Sequence, residues 1–283
     1  MHTPLVDTTS QENLIKVAHP DRRQFLQASG QGLLALFLAS LALPKGLPFA
    51  PHAQVPALGQ PLPLPTLKAQ LANVTALPRP FVQQQLAHYS QQLSHLEPLT
   101  QQYHLALQQA KGQASHVHHP LREAHSRYLS ARNTLVWQGL FLSSLAGEAA
   151  TPQAPLLSLL AASPYGSVEG LQHALSTHAQ THRGWAVLGW DALTHRLLVS
   201  GVDAPSAALP QGVTPLVVWD VQAPTLAHLA QHEHLYKEWV WQQPQGQLAT
   251  VPASFRQATG QAYWQAMPWA RLNAWAKQVV TQP

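Results

Sequence analysis

Three short runs of β-forming residues limit what this chain can become more than any other feature: GWAVLGWD (184–191), RLLVSGV (196–202) and TPLVVWDV (214–221). Each is rich in Val, Leu or Trp and bounded by turn formers. A short DALTH turn separates the first two, as in a hairpin, and the third run completes a three-stranded antiparallel sheet. Around them lie stretches with apolar residues three and four apart, the helical period. PLLSLLAAS and SVEGLQHALSTHAQTH precede the sheet. A His-rich helix over 225–242, a Pro/Gly loop from 244 to about 254 and a helix through AYWQAMPWARLNAWAKQV follow it. Helices before and after a small antiparallel sheet make residues 151–283 an α+β domain.

The preceding part, 81–150, has only helical texture. FVQQQLAHYSQQLSHLEPLTQQYHLALQQAKG runs from Phe81 to about Gln113, with Pro98 expected to kink or divide it. SHVHHP (115–120) is a polar break, and a second helix is expected from about Leu121 to Leu145. The two make an N-terminal helical hairpin. Residues 43–80 are Pro-rich without a sustained period and read as an extended linker with at most one short helical turn.

At the N-terminus, Arg22-Arg23 followed by Gln24-Phe25-Leu26 looks like a twin-arginine export motif, an address read by a receptor rather than an anchor. The apolar run LLALFLASLAL (33–43) is too short to span a bilayer unaided. Ser40-Leu41-Ala42 offers a small-residue cleavage site, and cleavage nearer Ala53 is the alternative. Residues 1–42 are thus expected to be a signal peptide. The mature protein is expected in the periplasm, or otherwise exported, with no stable membrane span after processing. The net charge is only +4 and charged residues make up 10% of the chain. No basic cluster of the kind nucleic acid requires is present, so nucleic acid is not an expected partner. There is no cysteine, which excludes iron–sulfur clusters held by Cys and thiolate zinc sites. Any metal must be held by His, Asp, Glu or water.

Seventeen histidines make such chemistry worth tracing. His228 and His232 stand four apart on an expected helix, a spacing that puts both imidazoles on one face and suits zinc or copper. His116, His118 and His119 form a second local cluster, and HEHLYKEW (232–239) a third. A His-based zinc or copper carrier is one reading of these spacings. A non-catalytic interaction module is another, with the late tryptophans Trp239, Trp241, Trp264, Trp269 and Trp275 available to an interface, although such residues are more often core.

Taken together, residues 78–280 resemble the iron/manganese superoxide dismutase family, a helical hairpin followed by an α+β domain. In the first helix His95, Tyr103 and Leu107 are similar to the family's pattern of a ligand histidine, a tyrosine eight residues on, and a leucine. A competing register through His88 leaves Leu96 where the tyrosine belongs. RNTLVWQGLF is similar to the family's second-helix motif through Asn133, Val136, Trp137 and Phe141. There the family's ligand histidine falls on Gly139, and the glutamine of many iron enzymes on Leu135. PYGSVEGL (164–171), the Gly-Trp start of the first strand, and TPLVVWDV also match, the last placing Asp220 as the ligand aspartate. The family continues directly into Glu-His. Here an ungapped register puts Pro224 at that position, whereas about ten inserted residues recover Glu233-His234. Trp264 and Trp269 keep the family's tryptophan spacing.

The resemblance implies superoxide as substrate, iron or manganese as cofactor and a homodimer to which Glu233 and His234 contribute. It carries over His95, Asp220 and His234 as metal ligands and Tyr103 as the tyrosine beside the metal. It also implies a damaged centre. The family uses three imidazoles and one carboxylate, and one imidazole is missing. Glycine at 139 is expected to leave room for a water. Weak or no superoxide disproportionation is the expectation; an active dismutase with an altered ligand set is the alternative.

Overall fold

The computed structural model describes residues 60–110, 119–147, 150–210, 212–232 and 253–281. The chain divides into Met1–Ala50 and Pro51–Pro283, and all described residues belong to the second unit. In chain order they form α1 (Leu64–Leu71), α2 (Arg79–Gln109), α3 (His119–Leu145), α4 (Ala154–Ala161) and α5 (Val168–Thr181). Then come β1 (Trp185–Asp191), β2 (Arg196–Val202), β3 (Val213–Asp220), α6 (Ala223–His232), α7 (Ala253–Gln265) and α8 (Trp269–Thr281). The result is a helix-rich α+β arrangement around one three-stranded antiparallel sheet. None of the described helices is long and apolar enough to cross a membrane.

The sheet order is β2-β1-β3, with Trp185 opposite Val202 on one side and Asp220 on the other. The central strand is buried at every position from Trp185 to Trp190, which explains why WAVLGW is apolar throughout instead of alternating. β2, at an edge, begins with the exposed–buried alternation of a strand covered on one face. β3 is the other edge, the place where Pro215 is tolerated because its missing N–H breaks no inner ladder. A bulge lies beside it: Leu188 pairs with Val217, and Gly189 with Pro215.

Edge strands expose backbone groups that a buried sheet must satisfy. Here side chains do so. Ser144 Oγ on α3 accepts from the Val218 N–H at 2.9 Å and donates to the Leu140 carbonyl at 2.7 Å. The buried Arg271 guanidinium on α8 donates to the Leu216 carbonyl at 2.7 Å and the Ser143 carbonyl at 2.9 Å. On the opposite edge the Tyr165 hydroxyl accepts from the Val199 N–H. Tyr165 comes from PYGSVEGL, whose other residues build the start of α5. Ser167 caps the helix by accepting from the Gly170 N–H at 3.0 Å. Gly170 is required there, because a Cβ would lie 2.0 Å from the Tyr165 carbonyl oxygen.

Several local expectations need correction. Residues 43–80 are not linker throughout: α1 spans Leu64–Leu71 and buries Leu67 and Leu71, with Leu62 and Leu77 in the same core. Pro65 favours this start, since the first helical turn leaves its N–H groups unbonded in any case. Pro98 does not divide α2, which runs on through it. The last helix, in contrast, is two helices. α7 ends at Gln265 and α8 begins at Trp269, with Pro268 between them disfavouring helix at the residue before it. The helix expected over 225–242 begins at Ala223, and its continuation past His232 lies outside the described residues.

Ser144→Ala strands the Val218 N–H in a buried edge. The substitution should cost about 1–3 kcal/mol in urea unfolding and accelerate hydrogen exchange at the Val218 amide, with little change at the central strand.

Candidate metal centre

The face that α2 turns to the core is Phe81, Val82, Gln85 and Tyr89, residues spaced three and four apart as one helical stripe demands. His95 is six residues beyond Tyr89, about 240° further round the helix, and it is exposed. His88 is also exposed, in contact with Gln92 Nε2 at 2.7 Å. Gln85 and Tyr89, rather than either histidine, therefore face the interior. Tyr103 stacks on Tyr128 with ring centroids 5.4 Å apart and lies 5.2 Å from His125. Tyr128 and Gly139 are separated by about 16 Å along α3 at 1.5 Å per residue, so Tyr103 belongs to a different level of the helix pair from the glycine.

Gly139 is buried, and the space beside it is filled. A Cβ there would meet the Tyr89 hydroxyl at 3.3 Å and Leu62 Cβ and N at 3.5 Å each. The water expected in that space is replaced by a phenol and a leucine. Tyr89 is fully buried and donates to the Leu62 carbonyl at 2.7 Å. Burial pushes its phenol well above the ordinary value of 10, against the pull of that hydrogen bond. Two neighbours on α3 are buried as well: Leu135, which offers no polar atom, and Gln138, whose Oε1 has no hydrogen-bond partner.

Asp220 ends β3 and is 2% exposed. Oδ1 accepts from the Gln222 N–H at 2.9 Å, an Asx turn that launches α6. Oδ2 accepts from the Thr225 hydroxyl at 2.8 Å, and the Asp220 carbonyl accepts from Tyr263 at 2.9 Å. Desolvation raises the carboxyl from 3.8 to about 7, with the Gln222 and Thr225 hydrogen bonds pulling the other way. Among the described residues no cation pairs with it, and no three His, Asp or Glu side chains form a metal-binding group. His234 and Glu233 lie outside the described residues, as do His116, His118 and the side chain of His232. His228 is half-buried on α6.

Among the described residues, no set of three imidazoles and a carboxylate comes together. The helix-borne histidine reaches solvent, the second-helix position is a packed glycine, and the carboxylate is engaged in a turn. Sequence spacing missed Tyr89, Gln85 and Leu62. The signal for the first two was present, because Phe81, Gln85 and Tyr89 share a stripe that excludes His95.

Two residues of RNTLVWQGLF have another task. Trp137 stacks on Trp185 at 5.9 Å and donates to the Ala207 carbonyl at 2.8 Å. Asn133 donates to Ser206 at 3.1 Å. They pin the β2–β3 connection to α3, beside a cavity of about 410 Å³ that both residues line with Leu209, Pro210 and Val213.

No family model matches the chain. Over 55 residues it is 38% identical to an iron superoxide dismutase of Aquifex pyrophilus, a stretch covering 19% of this chain and 26% of that protein. The chain thus matches about a quarter of that relative's length.

Asp220 sets a pH dependence. Its folded value lies above the unfolded one, so the native state holds a proton that the unfolded chain releases. The associated stability is complete below about pH 4 and is lost as pH rises to about 7. Asp220→Asn should therefore stabilise the protein above pH 7 by up to about 4 kcal/mol and have little effect near pH 4. Urea unfolding at pH 4 and pH 8 measures the difference.

Proposed function

We propose that the chain is an exported protein of the iron/manganese superoxide dismutase type that has lost the redox centre and does not disproportionate superoxide efficiently. Short similarity to an iron dismutase and a helix-rich α+β fold support the descent. The loss rests on one observation, the Gly139 position packed against Tyr89 and Leu62. Disproportionation requires a metal that alternates between two oxidation states at a potential set by its imidazole and carboxylate ligands. A buried phenol hydrogen-bonded to a backbone carbonyl and an aliphatic side chain supply neither the ligand nor a site for solvent. The role of Asp220 is then structural, as the carboxylate that turns β3 into α6. Twin-arginine export to the periplasm, an N-terminal hairpin of α2 and α3, and homodimerisation are parts of the same proposal.

The test is metal analysis of the purified mature protein together with a superoxide-removal assay. Iron and manganese should be substoichiometric, with no removal above that of the released metal. Stoichiometric iron or manganese with metal-dependent removal overturns the proposal. Gly139→His should not restore activity. Its imidazole has to displace Tyr89 and Leu62, so the variant should be destabilised, on the order of 1–3 kcal/mol by overpacking, as read by thermal unfolding.

A further inference from the structure

We propose that the hollow between α3 and the β2–β3 connection is a binding site for a small uncharged molecule of one or two rings, whose single polar group meets Thr214 and Asn133. The site uses none of the candidate metal ligands and does not depend on the reading given above.

The hollow is held open by directed bonds. Three consecutive carbonyls of the connection are taken by side chains from the body of the protein: Pro205 by Trp185 Nε1 at 3.2 Å, Ser206 by Asn133 Nδ2 at 3.1 Å and Ala207 by Trp137 Nε1 at 2.8 Å. The far end is fixed as well. The Ala192 N–H donates to the Gly212 carbonyl at 3.0 Å, and the Val213 N–H to that of Pro210 at 3.3 Å. Gly212 has a φ of +76°, a conformation that glycine adopts without a steric cost. Between these two anchorages about 410 Å³ is left beside α3. Protein interiors normally close such space, and a connection bonded at both ends does not collapse into it.

The walls define the class of ligand. Val136, Leu209, Pro210 and Val213 make them largely apolar, and none of the described residues lining the hollow is titratable. A charged guest would lose its hydration there without a counter-charge, so the guest is neutral. Roughly 150 Å³ suffices for benzene, and ligand pockets span about 300–1,000 Å³; the volume here suits one or two rings. Asn133 spends one amide hydrogen on Ser206 and keeps a carbonyl oxygen and a second hydrogen. Thr214 adds a hydroxyl, able to donate or accept. Two polar side chains among apolar ones are the usual means by which a pocket orients its ligand.

The rim continues the apolar surface. Leu193, at the tip of the β1–β2 hairpin, is 85% exposed, and a Cβ at Gly212 would lie 3.7 Å from its Cδ1. A lone exposed leucine is ordinary, but this one lies over the edge of the hollow, where a bound ring would cover it.

Calorimetric titration of the purified protein with 2-naphthol tests the site. Binding should be saturable, with one molecule per chain. Leu209→Trp, which fills the hollow, should abolish it. Thr214→Val should weaken it about 2- to 10-fold, the range of one hydrogen bond, and Thr214→Ser should restore it. The charged analogues 2-naphthoate and 2-naphthylmethylamine should bind roughly 10-fold more weakly or worse. Absence of saturable binding, or undiminished binding in Leu209→Trp, overturns the site. Equal affinity for the charged analogues overturns the assignment to neutral ligands, and an unchanged Thr214→Val overturns the role of that hydroxyl. If circular dichroism shows Leu209→Trp unfolded, Ala192→Trp at the exposed rim decides in the same way.

Discussion

A sheet of three strands has one interior strand and two edges, and when helices enclose it the edges must be satisfied without water. This constraint organises the protein. β1 is buried along its length, so β2 and β3 must each be covered on the outside. Ser144 and Arg271 meet the backbone of β3 at Val218 and Leu216, and Tyr165 meets that of β2 at Val199. Each comes from a different helix or helix approach. The helices are thereby fixed to the sheet by directional bonds as well as by apolar area, which by itself is indifferent to register.

α3 carries most of this. Within about three turns it sends Asn133 and Trp137 to the β2–β3 connection, packs Gly139 against Tyr89 and Leu62, and ends with Ser144 on the sheet edge. A helix held in this way keeps its position whether or not an imidazole projects from residue 139.

The parts legible in the sequence were those governed by local periodicity. The three strands, α3, and the α+β character followed from apolar spacing, and the Asn133-to-Phe141 motif marked residues that are indeed packed or bonded. Proline was harder to read, because its effect depends on position. Pro65 starts a helix, Pro98 is carried within one, and Pro268 lies between two. The candidate site was less legible still. The spacing of His95 to Tyr103 carries no information on orientation, whereas the stripe through Phe81, Gln85 and Tyr89 marks what faces inward. What fills the space beside Gly139 could not be read locally at all, since Leu62 reaches it from far along the chain. Asp220 was legible as a residue closing an apolar strand, and both its turn-forming and ligand readings began from that fact.

Asp220 also bears on how the fold accommodates a buried carboxyl. A carboxylate withdrawn from water is expensive unless a cation or several hydrogen bonds compensate it. Here two donors engage it, and its value still rises to about 7. The hydrogen bonds thus recover only part of the desolvation cost. The remainder, of the order of 4 kcal/mol at neutral pH, is a large fraction of the 5–15 kcal/mol that typically separates folded from unfolded domains. Opposing it are the burial of Leu62 and the Tyr89 hydrogen bond beside Gly139. Full burial of a leucine contributes roughly 1.5–3 kcal/mol, and a buried hydrogen bond about 1 kcal/mol. The two quantities are of similar size. Filling the interior with a phenol and a leucine therefore supplies, by packing, stability comparable to what the buried carboxylate removes.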